Sequence, residues 1–315
     1  MASCTLSLFF PGFCEVKVAS SQSIPILLSL ASSLMFASTF VLIKMAGQAS
    51  SSLAALWVTL TTNVGFLWAW SLLREKGSVT PSGEWQYFVL AGIFAPLLGR
   101  LFQFQGMAKL GANITTPITL THPIVTVLLA IIFLGESLGG GALFGVFLVL
   151  AGSILLGLQS GQGSVECAGA PKQFLVLPLA ASLAYGVSVV FRKVGIDMGS
   201  DAVTAAAVTT STSWLLFAIY LVAYRPSGVF RCKSQELAKF VAAGVFSSLG
   251  PVFLYMALQV GRVSVVAPLA STTPFFVLLV TGLYMRNDEV FNRWVVLGTI
   301  FTVLGVALIV SFGAT

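Results

Sequence analysis

Ten apolar runs, each long enough to cross a bilayer, constrain this chain more than any other feature. A hydrocarbon core about 30 Å thick needs about 20 mostly apolar residues per helix. Read with that window, the sequence gives spans at roughly 24–46, 53–73, 85–104, 112–134, 139–158, 174–192, 202–223, 238–258, 263–284 and 294–312. Polar punctuation separates them: SSS at Ser50–Ser52, REKGSVTPSGE at Arg74–Glu84, GQGSVECAGAPK at Gly161–Lys172 and YRPSGVFRCKSQE at Tyr224–Glu236. Lipid-exposed backbone must satisfy its own hydrogen bonds, so all ten read as helices. Residues 1–23 fall outside; no basic residue precedes Lys17 and Pro11 breaks LSLFFPGF, a poor match to a signal peptide. The expected class is an all-α integral membrane protein.

Composition closes off the other classes. Hydrophobic residues make up 57% of the 315 and charged residues 8%, where a soluble domain carries about 25% charged residues to solvate its surface. A soluble enzyme, a disordered chain and a fibre are all excluded. The net charge of +6 comes from Lys and Arg scattered singly, with no stripe that could neutralise a phosphate backbone, so no nucleic-acid partner is expected. No cofactor or catalytic centre is expected either. One histidine and four cysteines without CxxC spacing make no zinc cluster. There is no P-loop or GxSxG, and GGG at Gly139–Gly141 has no lysine behind it, so energy for any work must come from a gradient. Cys167 and Cys232 fall in loops on one side, which allows a disulfide, although two unpaired thiols are the simpler reading.

The halves repeat. LASSLMFASTFVLIK from Leu30 aligns without a gap on LAASLAYGVSVVFRK from Leu179, pairing Ser33 with Ser182, Phe36 with Tyr185 and Lys44 with Lys193. Span 4 has Pro117-x5-Pro123 and span 9 has Pro268-x5-Pro274; span 5 has Gly145-x6-Gly152 and span 10 has Gly298-x6-Gly305. Glu136 and Glu289 precede the final span of each half. Five spans per half is an odd number, so the copies lie upside down relative to each other. Inverted repeats of this kind characterise secondary transporters, which hold their solute near the midplane between the halves.

RLFQFQGMAKLGANITTPITLTHPIVTVLLAIIFLGE, followed by a glycine-rich last span, resembles the EamA-type transporters of the drug/metabolite transporter superfamily. GRVSVVAPLASTTPFFVLLV and VVLGTIFTVLGVALIV in the second half are similar too. The second half has YMRNDE where the first has FLGE, so the glutamate of that motif is clear at Glu136 and approximate at Glu289. The resemblance implies ten helices in two inverted five-helix EamA repeats and transport of a small solute, commonly export in prokaryotes. On that reading residues 1–23 are an amino-terminal extension, 24–158 the first repeat, 159–173 a linker loop and 174–312 the second repeat.

Within the spans, His122 is the most informative residue, because a polar group at mid-membrane is costly and points to function. Thr115, Thr119, His122 and Thr126 fall on one helical stripe. Pro117 and Pro123 deprive the carbonyls of Asn113 and Thr119 of their helical donors. Hydroxyls, freed carbonyls and an imidazole together would form a solute-binding wall; the other reading is a buried histidine bonded to its neighbours, with the threonines bonded to their own backbone. Arg100, with Gln103 on the same face, could clamp a carboxylate or phosphate, or span 3 could end there and Arg100 reach the headgroups. Ser33, Phe36, Asn63, Ser182, Tyr185 and Ser271 complete the candidate wall, small hydroxyl residues being just as often packing. Lys44, Lys193 and above all Arg192 read as interfacial anchors.

Every Asp and Glu falls in a loop or at a span end. An exporter of lipophilic cations needs a buried acid, so the expected solute is amino-acid-like, zwitterionic or anionic. The expected function is secondary active transport of such a metabolite by alternating access, with export favoured and coupling to protons or a counter-solute open. The expected partners are that solute, the lipid bilayer and a second copy of the chain. The alternative is a non-transporting scaffold or lipid-binding protein on a transporter fold. Lys and Arg number six on the amino-terminal side and ten on the other, four of them in the loop after span 7. That bias favours an external amino terminus, whereas the family resemblance implies a prokaryotic inner-membrane protein with both termini cytoplasmic, and we follow the resemblance.

Overall fold

The computed structural model describes residues 23–46, 52–74, 83–110, 112–160, 172–224, 234–284 and 293–312. Cys167, Cys232, Glu289 and residues 1–22 lie outside the described residues. Thirteen α-helices make ten membrane-spanning units, and no strand occurs among the described residues. Spans 1 and 2 are α1 (Ser23–Ala46) and α2 (Ser52–Arg74); span 5 is α7 (Gly140–Ser160). Spans 6, 7 and 8 are α8 (Val176–Asp197), α9 (Ala202–Tyr224) and α10 (Ser234–Val260), and span 10 is α13 (Arg293–Phe312). The remaining three spans are divided. Span 3 comprises α3 (Trp85–Gly92), an irregular stretch Ile93–Leu98 and α4 (Gly99–Leu110). Span 4 is α5 (Ala112–Thr119) and α6 (His122–Leu134), and span 9 is α11 (Val263–Ala270) and α12 (Thr273–Tyr284).

Spans 4 and 9 cross as broken helices, and proline is the cause of the breaks. Pro123 and Pro274 carry no N–H, so the carbonyls of Thr119 and Ala270 lose their helical donors. A proline also disfavours α geometry at the residue before it, here His122 and Thr273. The chain closes each gap with short turns: Thr121 N–H donates to Ile118 O at 3.1 Å and Thr272 N–H to Leu269 O at 3.2 Å. In span 3, Ala95 leaves helical geometry (φ −146°, ψ 131°) just before Pro96. Helix resumes beyond it through Arg100, so Arg100 lies inside the span and not at its end.

The two repeats interlock rather than stand side by side. Helix α1 packs along α10, α2 along α9 and α6 along α8, each contact crossing from one repeat to the other. Helix α7 packs along α13 through the paired glycines. A Cβ on Gly145 would stand 2.8 Å from Gly305 O, and one on Gly152 would stand 2.6 Å from Gly298 O. In lipid, such close backbone approach is gained by small residues and by van der Waals contact. The seam therefore lies within one chain. Leu128, Ile132, Phe144, Phe147, Val303 and Leu304 stay exposed on the outer faces of α6, α7 and α13, as lipid contact requires.

Candidate functional site

Each broken span is held by a serine from the opposite repeat. Ser33, on α1, donates its single hydroxyl proton among Leu269 O at 3.0 Å, Ala270 O at 2.9 Å and its own helix at Ser29 O, 3.2 Å. Thr272 Oγ1 in the span 9 break lies 3.3 Å from Ser33 Oγ. The equivalent contact in the other repeat joins Ser182, on α8, to Thr121 in the span 4 break at 3.1 Å. The freed carbonyls are served alike: Thr273 Oγ1 donates to Ala270 O at 3.1 Å, and His122 Nδ1 meets Thr119 O at 3.1 Å. A carbonyl cannot donate, so Nδ1 carries the proton, and Nε2 of a neutral ring is left as an acceptor. The repeat symmetry extends to Phe36 against Gly250 and Tyr185 against Gly99, where the absent Cβ makes room for the ring.

One cluster collects four of the expected residues. The rings of His122 and Tyr185 stand 5.7 Å apart, tilted by 56°. Tyr185 Oη donates to Gln103 Oε1 at 3.0 Å, and Arg100 lies within electrostatic reach of Tyr185. Arg100 also lines a narrow crevice with Leu60, Pro96, Leu97, Ser213 and Phe217. Chemically the cluster offers a guanidinium, an amide, a phenol and an imidazole: donors for an anionic or zwitterionic group, with an aromatic wall beside them. Thr119 back-bonds to Thr115 O at 2.9 Å and Thr126 to His122 O at 3.1 Å. Thr115 Oγ1 is buried with no hydrogen-bond partner among the described residues.

Other expected wall residues go elsewhere. Asn63 donates from α2 to Ser247 O on α10 at 3.1 Å. Ser271 is buried in the span 9 break, its hydroxyl bonded to Pro268 O at 2.6 Å and its carbonyl accepting from Ser153 on α7 at 3.0 Å. Lys44 is exposed near the end of α1, while Lys193 donates to Leu258 O at 2.8 Å and pairs with Asp197 at 2.7 Å. Arg192 overturns the anchor reading. Helix α8 runs on to Asp197, and Arg192 is only 8% exposed, bonded to Ala95 O at 3.2 Å.

Arg192 belongs to a set of contacts from the second repeat that stitch the bend in span 3. Ser188 on α8 donates to Ala91 O at 2.9 Å and Ser213 on α9 to Gly92 O at 2.7 Å. A second set ties the repeats on the face that carries the loops after spans 2, 4, 6 and 8. There the Glu136 carboxylate accepts from Val263 N–H and Ser264 N–H, both at 2.8 Å, at the start of α11. Ser200 donates to Glu84 Oε1 at 3.0 Å, and Arg262 to Ser137 O at 3.3 Å. Glu136 stood out in the sequence as a motif residue, but its partner is set by the fold. Its carboxylate meets the positive end of a helix from the other repeat.

No curated protein matches the chain. Among 29 matching solved chains, one crystal structure superposes with a TM-score of 0.75 at 20% identity, over 91% of this chain and 96% of its own. At that identity the likeness speaks for the fold. The model of the EamA-like transporter family matches residues 23–158 and again 173–311. Two matches in tandem, laid over two interlocked five-span halves, place this multi-pass membrane protein in the EamA-like transporter family.

Proposed function

We propose that the protein is a secondary active transporter that moves a small polar metabolite, amino-acid-like and zwitterionic or anionic, by alternating access between its two repeats, in the direction of export. The observation that carries this reading is the pair of broken spans at equivalent positions of inverted repeats, each held by a serine of the other repeat. Broken helices turn backbone groups toward the interior where a polar solute needs partners, and repeat-to-repeat hydrogen bonds can be exchanged as one half rocks against the other. His122, Tyr185, Gln103 and Arg100 form the centre of the proposed site, with Thr119 and Thr115 on the same span as His122 and Phe36 as the repeat counterpart of Tyr185. Ser33, Ser182, Asn63 and Ser271 act by holding the spans that shape it. The imidazole of His122 suits coupling to protons, with counter-solute exchange as the other route. The proposed setting is a prokaryotic inner membrane, with both termini cytoplasmic and the chain able to pair with a second copy.

The test is flux of labelled metabolites into proteoliposomes, with and without an imposed pH gradient. Uptake of a carboxylate- or amino-acid-like solute is expected, and His122→Ala should reduce it at least tenfold without lowering membrane abundance. Absence of flux across a broad panel would favour a scaffold or lipid-binding role on the same fold.

A further inference from the structure

Two arginines flank the bend of span 3: Arg192 of α8 bonds to it, and Arg100 stands in α4 just past it. Arg192 reaches across from α8, donates through Nη2 to Ala95 O at 3.2 Å and stacks over the Tyr255 ring at 5.5 Å. It is 8% exposed, and its Nε is buried with no hydrogen-bond partner among the described residues. Arg100 stands in α4 just past the same bend, at the wall of the crevice, within electrostatic reach of Arg192. Among the described residues neither guanidinium has a carboxylate partner.

That arrangement is costly as it stands. A buried charge without a counter-charge, an unmade hydrogen bond at a charged donor, and two like charges near each other all oppose folding. Stitching the bend accounts for a single donor of Arg192, and the guanidinium has five. A compact oxyanion would relieve all three costs together, because its charge offsets both cations and its oxygens match the guanidinium fork.

We propose that Arg100 and Arg192 form a binding site for the oxyanion head of the solute, a carboxylate or a phosphate. The word solute rests on the transporter reading above, whereas the anion site rests on these two residues. The site narrows the solute from polar to anionic. It also gives Arg192 a binding role in addition to its bond to the bend.

The test is thermal unfolding of the purified full-length protein in detergent at constant ionic strength. Sodium chloride is the reference, and acetate, succinate and inorganic phosphate are the probes; phosphatidylglycerol in mixed micelles forms a separate arm. A saturable rise in Tm above the chloride reference is expected with succinate or acetate if the head is a carboxylate, and with inorganic phosphate if it is a phosphate. Arg100→Gln and Arg192→Gln should each weaken the apparent Kd at least tenfold, with Arg192→Lys intermediate. Should Arg192→Gln fail to fold for want of its bond to Ala95, Arg100→Gln and Arg192→Lys decide the matter. The proposal is overturned if no soluble anion exceeds chloride, if Arg100→Gln responds as the parent does, or if only phosphatidylglycerol stabilises. Flux of a neutral solute without anion stabilisation would sink this proposal and spare the transporter reading; anion stabilisation without flux would do the reverse.

Discussion

Replacing Glu136 by glutamine tests whether the face it closes is a gate. Its carboxylate bridges the repeats through two 2.8 Å bonds, from Val263 N–H and Ser264 N–H. Hydrogen bonds to a charged group contribute about 1.5–3 kcal/mol each. Glutamine keeps one acceptor oxygen and presents an NH2 to the second backbone donor, so one bond is lost. If both bonds exist only while this face is closed, the closed state is weakened by about 1.5–3 kcal/mol. The open population then grows about 10- to 150-fold for as long as it remains the minor one. Ser264 is fully buried beside this contact and makes a reporter. With Cys4, Cys14, Cys167 and Cys232 changed to serine and Ser264 changed to cysteine, labelling by a membrane-impermeant maleimide reads the opening. Glu136→Gln in that background should label at least tenfold faster. Equal labelling rates with glutamate and glutamine would refute the reasoning, because the bridge would then not separate when the face opens.

Two further outcomes follow from the packing. Gly152→Leu should lower Tm by several degrees, because its Cβ would stand 2.6 Å from Gly298 O, and forced overpacking against backbone costs about 1–3 kcal/mol or more. Gly65→Ala, with nothing within 4 Å of its added Cβ, should leave Tm unchanged in the same detergent assay. Tyr185→Phe removes the bond to Gln103 while leaving the ring against Gly99. It should weaken apparent solute affinity about 2- to 10-fold, the effect of losing one neutral hydrogen bond, with membrane abundance unchanged; flux measured against solute concentration checks it.

The architecture was readable because it is written in long-range averages. Hydropathy over about 20 residues marks a span wherever it ends, and the serine, proline and glycine pairs repeat in the same order in both halves. What escaped was local. A hydropathy window sees a broken and an unbroken helix as equally apolar and does not divide spans 4 and 9, although in span 4 Pro123 marks the Thr119 carbonyl as losing its donor. Arg192 was misread for a related reason: a charge ends a hydropathy window, whereas α8 carries on for another turn to Asp197. The repeat alignment pairs Ser33 with Ser182, but sequence cannot say that each bonds to the opposite repeat's broken span. Such partners are set by how inverted halves dock, which leaves no periodicity along the chain.

The glycine seam between α7 and α13 sets an order of assembly. Helix α7 leaves the ribosome first, and its partner α13 follows only after four further spans. At elongation rates of about 5–20 residues per second, the wait is on the order of ten seconds. Throughout it, the bare backbone strip of Gly145 and Gly152 faces lipid or an insertion chaperone. A chain cut short before Arg293 would keep nine spans and leave that strip uncovered. The α7–α13 seam therefore closes only after the four intervening spans have been made, so the close backbone packing of Gly145 and Gly152 is among the later contacts to form.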